Sequence, residues 1–164
     1  MSVDIKSWAA PLSIIALLIF AISIPNRWMD HDEAMLAEHA YWWYKLGYYR
    51  SVLHYGLPNG WHLIQYSTHK AFVLLGAGMI DLTGWSLTTL RIIPLFFTAA
   101  LVIAMTRYAK TEWREYPQAS NWLLALLFFQ AMFLTAAYRY RPETMLMTFG
   151  FLNFWMLQKY LQTD

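Results

Sequence analysis

From Trp8 to Ile24 the chain runs without a charge, and its only hydroxyls are Ser13 and Ser23. Three further apolar runs follow, at about 92–108, 122–138 and 144–160, and none carries a charge near its middle. Runs of about 17–25 apolar residues can cross the hydrocarbon core of a bilayer as helices. In lipid every backbone N–H and C=O must be satisfied within the protein, which leaves helices or closed barrels. Unbroken apolar runs of this length read as helices, so the expected fold class is an all-α membrane protein with about four transmembrane helices. Composition agrees: 13% of the 164 residues are charged, against about 25% in a soluble domain. Nine Trp and eleven Tyr suit a protein with two membrane–water interfaces, where these rings settle. Pro11 falls in the first turn of the first run, where its missing N–H costs little, and Pro25 ends it. A cleaved signal peptide is the alternative for this run. Asp4 and Lys6 cancel ahead of it and the apolar stretch is long, which favours an uncleaved span.

These patterns exclude several functions. A net charge of +2 does not indicate a nucleic-acid partner. The absence of Cys removes disulfides, thiolate metal sites and a Cys nucleophile. No His lies within the four spans, which argues against a bis-His haem protein. The lack of mid-span charge argues against an ion pump or channel. His62 and His69 are two turns apart rather than at the i, i+4 spacing of a zinc helix, and His31, His39 and His54 add no pattern. No metal site is expected from the histidines.

Residues 26–60 are polar and aromatic and cannot cross lipid, and they begin an outer loop with juxtamembrane helices over about 26–91. It opens with Asp30-His31-Asp32-Glu33, three carboxylates in four residues. Asp30 and Glu33 have the spacing of a capping box, which predicts a helix over about 31–46 stopped by Gly47. Leu36, His39, Trp43 and Leu46 share one face of it, and Glu33, Ala37, Tyr41 and Tyr44 another, so it reads as an amphipathic interfacial helix. Trp61–Leu75 predicts a second juxtamembrane helix, with His62, Gln65 and His69 on one side. The apolar run Ala71–Ile80 is too short to span, and Gly76, Gly78, Asp81, Thr83 and Gly84 are expected to break the pattern. Gln130 and Asn153 lie mid-span and are expected to hydrogen-bond between helices. Arg107, Lys110 and Arg114 cluster in one short loop and Lys159 ends the last span, which places both on the cytoplasmic side. Four spans then put the acidic stretch and the turn Arg139-Tyr140-Arg141-Pro142-Glu143 together on the outer face.

The chain resembles the GT-C superfamily of integral-membrane glycosyltransferases, in particular the protein O-mannosyltransferase and aminoarabinose transferase branch. Four stretches carry the resemblance: Met29-Asp-His-Asp-Glu-Ala-Met-Leu-Ala37, Lys45-Leu-Gly47-Tyr-Tyr, Leu74-Leu-Gly-Ala through Thr89-Leu-Arg91-Ile-Ile-Pro94, and Tyr138-Arg-Tyr-Arg-Pro-Glu143-Thr-Met. They resemble, in turn, the family's Asp-Glu entry to the first outer helix, the Gly-aromatic end of that helix, the segment leading into the second span, and the acidic position of the next outer loop. Family members have many more spans, so the chain is similar to the N-terminal part of the module or to a short relative, and a complete active site is not expected in it. Glu143 stands where many relatives have Asp.

The resemblance implies transfer of a sugar from a polyprenyl-phosphate donor to an acceptor hydroxyl at the extracytoplasmic or lumenal face, with inversion. The acceptor is a glycan, lipid or protein. Such chemistry needs a base at the hydroxyl and cations at the leaving phosphate. Asp32 matches the family's Asp and is the expected base, with Glu33 orienting it or the acceptor. The plainer reading is that Asp30, Asp32 and Glu33 cap a helix whose N-terminus favours acids; both hold if Asp30 and Glu33 cap while Asp32 points outward. Arg139 and Arg141 are candidates to clamp the lipid phosphate or to snorkel towards headgroups. Glu143 is a second acid, a metal-binding acid, a partner of Arg141, or the first-turn acid of the last helix. Arg50, Lys70 and Arg91 are weaker phosphate candidates. A divalent metal is possible. Expected partners are the donor lipid, membrane lipid, the acceptor, and further transmembrane helices or subunits. The alternatives are a non-catalytic scaffold or subunit of a larger complex, and a lipid-binding module without chemistry.

Overall fold

The computed structural model describes residues 8–57, 60–65, 69–116 and 118–162. Helix is the only regular structure among them. Helix α1 covers Ala9–Ser23 and runs into a 3-10 turn at Ile24–Asn26. Pro25 sits at the start of that turn, and Arg27 leaves it extended. Helix α2, His31–Leu46, departs at 77° to the α1 segment. A second 3-10 turn, Val52–His54, precedes α3 at Lys70–Thr83. Short α4 (Leu87–Leu90) continues through Arg91 into α5 (Ile92–Glu112). Then come α6 (Ala119–Phe129), α7 (Ala131–Ala136) and α8 (Glu143–Gln162).

Two cores hold these elements. One packs α2 on α3 around Phe72, Val73, Ile80, Leu90 and Tyr140, each 2% exposed or less. The other packs α1, α6 and α7 on the second half of α5 around Leu101, Leu124 and Phe133. Helix α5 touches α1, α6 and α8 and so links the two. Buried hydroxyls tie the helices further. Thr98 donates to the Ala137 carbonyl at 3.2 Å, and Thr148 to the Phe97 carbonyl at 2.9 Å.

Only Leu87–Glu112 is by itself long and apolar enough to cross a membrane among the described residues; the bent α1–α2 pair passes the same test only when taken together. The outer surface is nevertheless oily. Leu12, Ile14, Ile15, Leu18, Ile19 and Ile22 of α1 are all more than half exposed, and so are Phe154, Met156, Leu157 and Leu161 of α8. Contiguous exposure on this scale is uncommon on a soluble monomer.

Four expectations are corrected. The second juxtamembrane helix does not begin at Trp61: residues 61–63 form a turn, residues 66–68 lie outside the described residues, and the helix starts at Lys70. It then continues through Gly76 and Gly78 to Thr83. Glycine costs a helix about 1 kcal/mol relative to Ala, but here the missing side chain makes room. A Cβ on Gly76 would lie 1.8 Å from the Tyr140 hydroxyl oxygen and 3.0 Å from the Ala40 Cβ. Packing of α3 on α2 and on Tyr140 outweighs the propensity.

The run 122–138 is not one helix. Gln130 is extended (ψ 114°) and separates α6 from α7. With about 3.6 residues per turn, a continuous helix would aim Phe133 well away from the side that buries Leu124 and Leu127. The extended residue returns Phe133 to the core, where it is fully buried. Finally, Gln130 and Asn153 are exposed, and among the described residues neither bonds to another helix; Thr148, Tyr108 and Trp155 make such links between α5 and α8.

Candidate functional site

The acidic stretch forms the start of α2 as its spacing demands. Asp30 is the N-cap, in extended conformation (φ −87°, ψ 158°), and forms a reciprocal capping box with Glu33. The Asp30 carboxylate accepts from the His31 N–H at 2.7 Å. Gly47 ends the helix with φ +73°, a left-handed conformation glycine adopts freely.

Glu33 turns inward and is fully buried. Arg91, 2% exposed, grips it with two donors: Nε to Oε1 and Nη2 to Oε2, both at 2.7 Å. Arg91 is carried here by the α4–α5 junction. Its Nη1 also donates to the carbonyls of Ile24 (2.6 Å) and Arg27 (3.2 Å), and Nη2 to that of Trp28 (3.4 Å). A fourth element joins through the Tyr140 N–H, which donates to Glu33 Oε1 at 2.7 Å. The pair thus fastens the α1–α2 connection, α2, the α4–α5 junction and the 139–141 turn at one point. With Glu33 sealed and all three Arg91 nitrogens engaged, neither side chain is open to a substrate.

Tyr140 anchors the turn from the other end. Its ring is fully buried and stacks on Phe72 at 4.6 Å, and its hydroxyl donates to the Phe72 carbonyl at 3.3 Å. Burial raises its phenol far above the ordinary value, so it stays protonated. The flanking Arg139 and Arg141 meet the acidic stretch instead. Arg139 Nη1 donates to Asp30 Oδ2 at 2.8 Å. Arg141 reaches Asp30 at 3.4 Å, Asp32 at 3.2 Å and Glu143 at 2.6 Å. Burial works to lower the Arg141 pKa, but the Glu143 hydrogen bond and the charges of Glu143, Asp32 and Asp30 outweigh it, and the net direction is upward. Asp32 is the most open member, with half its side chain exposed.

The structure therefore brings together Asp30, Asp32, Arg139, Arg141 and Glu143, three carboxylates against two guanidinium groups. Every Arg141 nitrogen faces a carboxylate. Arg139 keeps a buried Nε without a partner, and Glu143 a buried Oε2. These are the cluster's unfilled donor and acceptor. Arg50 and Lys70 are not part of it: Arg50 stacks on Trp42 at 4.6 Å, and Lys70 is exposed at the start of α3. No group of three His, Asp or Glu side chains is placed to hold a metal ion among the described residues.

Sequence reasoning assigned no role to Arg27 or Glu38, and it set His39 aside as a metal ligand without finding its partner. Arg27 stacks on Tyr138 at 4.6 Å. Glu38 accepts from the Trp42 indole (3.2 Å), the Ser51 hydroxyl (2.6 Å) and the N–H groups of Val52 and Leu53, which tethers the 3-10 turn to α2. Its spacing of four from Trp42 was the available signal. His39 is buried and bonds through Nε2 to Gln65 Oε1 at 2.8 Å, while its Nδ1 has no partner. Burial lowers its pKa, with the Gln65 bond and the Glu38 charge acting against it. Comparison with known proteins finds no matching family model, no similar curated protein and no similar solved structure.

Proposed function

We propose that the chain is a multi-pass membrane protein whose outer face takes part in sugar transfer from a polyprenyl-phosphate donor, with Asp32 as the base. The observation that carries this reading is the division within the acidic stretch. Asp30 caps, Glu33 is locked on Arg91, and Asp32 alone is half exposed beside the Arg-rich turn. A base must reach the hydroxyl proton, and of the three only Asp32 is neither the helix cap nor sealed in the core. Arg139 pairs with one carboxylate and Arg141 with three, so Arg139 is the better phosphate partner of the two. Glu143 holds Arg141 in place. The membrane reading rests on the exposed apolar faces of α1 and α8 and on Leu87–Glu112. In it α1, α5, α6–α7 and α8 cross the bilayer, and α2 and α3 lie outside.

The test of the chemistry is Asp32→Asn, assayed for transfer from a polyprenyl-phosphate sugar in membranes. Loss of a general base lowers the rate by about 10²–10⁴-fold. Transfer that survives in well-expressed protein rules Asp32 out. Topology is testable because the chain has no Cys: a membrane-impermeant thiol reagent added to intact cells labels Tyr55→Cys and not Glu115→Cys.

A second reading, a non-catalytic scaffold or subunit, is favoured by one observation. Arg141 already has every nitrogen on a carboxylate, so the cluster closes on itself. Under that reading Asp32→Asn alters the partners that co-purify and no transfer activity exists to lose.

A further inference from the structure

A groove of about 520 Å³ runs along the opposite flank of α2, walled by Met29, Ala34, Tyr41, Trp42, Leu53 and Trp85. That volume falls within the usual range of small-molecule sites, about 300–1,000 Å³. With about 3.6 residues per turn, Ala34, Glu38 and Tyr41 lie on a face of α2 nearly opposite Asp32, so the groove is separate from the charged cluster. Its walls are aromatic: Tyr41 stands edge-on to Trp42 at 5.1 Å and to Trp85 at 5.3 Å. Met29, Leu53 and Trp85 are each more than half exposed. The one carboxylate in the lining, Glu38, has both oxygens taken by the Trp42 indole, Ser51, and the Val52 and Leu53 N–H groups.

Arg50 lies outside this lining, with its guanidinium 4.6 Å over the ring of Trp42, which does line the groove, and its Nε has no hydrogen-bond partner. Residues 39–80 contain no Asp or Glu, whereas Lys45, Arg50 and Lys70 fall among them. The groove is thus largely apolar, its one carboxylate is already taken, and a cation with no ion-pair partner among the described residues stacks on one of its lining rings. We infer that it binds one anionic phospholipid, with an acyl chain in the groove and the phosphate on Arg50. Guanidinium groups recognise phosphate through paired N–H donors, and Trp42 fixes the plane of this one.

The proposal rests on membrane placement but not on the role of Asp32. Leu53→Cys supplies the sole thiol of the chain, at an exposed position on the groove wall, and carries a bimane label. The protein is placed in phosphatidylcholine nanodiscs containing equal small fractions of doxyl-labelled phosphatidic acid or doxyl-labelled phosphatidylcholine. The expected result is quenching several-fold stronger with the anionic lipid. Arg50→Gln erases that preference, Arg50→Lys keeps much of it, and Ala34→Trp, which fills the groove, weakens quenching by both lipids. Asp32→Asn leaves the ratio unchanged.

Equal quenching by the two lipids overturns the proposal alone, as does a preference that persists in Arg50→Gln. Quenching by neither lipid sinks the membrane placement as well. If inorganic phosphate abolishes the preference, Arg50 reads free phosphate rather than a lipid. A Leu53→Cys dimer that forms regardless of lipid assigns the groove to a second copy. Either result overturns the lipid assignment.

Discussion

Glu33 and Asp32 are neighbours on α2, and each meets an arginine, yet the two pairs sit in opposite surroundings. The side chains of Glu33 and Arg91 are 0% and 3% exposed, and those of Asp32 and Arg141 50% and 28%. One step along a helix turns a side chain by more than a quarter of a revolution, which sends Glu33 into the core and leaves Asp32 at its edge. The sealed pair fastens four segments. The open pair constrains little and lies within reach of solvent. Identical chemistry therefore yields a clamp in one case and an accessible carboxylate in the other.

The contrast predicts its own largest effect. Arg91→Met leaves the Glu33 charge buried and unpaired, and breaking such a pair from one side costs about 3–5 kcal/mol. Thermal unfolding should show it plainly, with earlier proteolysis at the 139–141 turn. The double variant Glu33→Leu/Arg91→Met should recover much of the loss, because no orphan charge remains. A single variant that unfolds like the parent would erase the distinction between the two pairs.

Next in size is the contact that seats the turn between them. Gly76→Ala places a methyl 1.8 Å from the Tyr140 hydroxyl oxygen, and overpacking of this kind costs about 1–3 kcal/mol. Tyr140→Phe in the same chain removes that oxygen and should return part of the loss. It should not return all of it, because the new methyl still lies 2.8 Å from the ring carbon that bore the hydroxyl.

Gly76 also marks where sequence reasoning stopped. Local signals carried far: the Asp30–Glu33 spacing, the Gly47 stop and the apolar runs gave α1, α2, α5 and α8 close to their observed bounds. What they could not give was any contact distant in the chain. Gly76 looks like a helix breaker until Tyr140 is laid against it. Gln130 looks like an ordinary mid-span residue until Phe133 must be turned inward. The pairing of the acidic stretch with the Arg139–Glu143 turn was expected only as a placement on one common face. Which carboxylate would take which arginine depended on Arg91, 58 residues from Glu33, and no local pattern records that.

His39 offers a milder test, on the buried side of the same helix. Its pKa is held below the ordinary 6.5, chiefly by burial. As pH falls below that value, the unfolded chain takes up the proton first and the folded state loses ground. The stability tied to a neutral His39 is therefore present above about pH 6.5 and declines from there through its lower value in the fold. Unfolding midpoints measured across that range should fall with pH, and His39→Gln should flatten the slope. An unchanged slope in the variant would assign the pH dependence to other groups.

The smallest effect on stability belongs to Asp32. An exposed ion pair contributes about 0–1 kcal/mol, and Asp32→Asn leaves Arg141 its bonds to Glu143 and Asp30. The unfolding midpoint should hardly move, whereas Arg91→Met shifts it strongly. That asymmetry gives the Asp32 variant its value: loss of transfer in a chain that unfolds like the parent cannot be put down to misfolding. A marked drop in stability would instead mean that the open cluster is as structural as the sealed one. Asp32 would then join Asp30 and Glu33 as a residue that shapes the start of α2 and does no chemistry there.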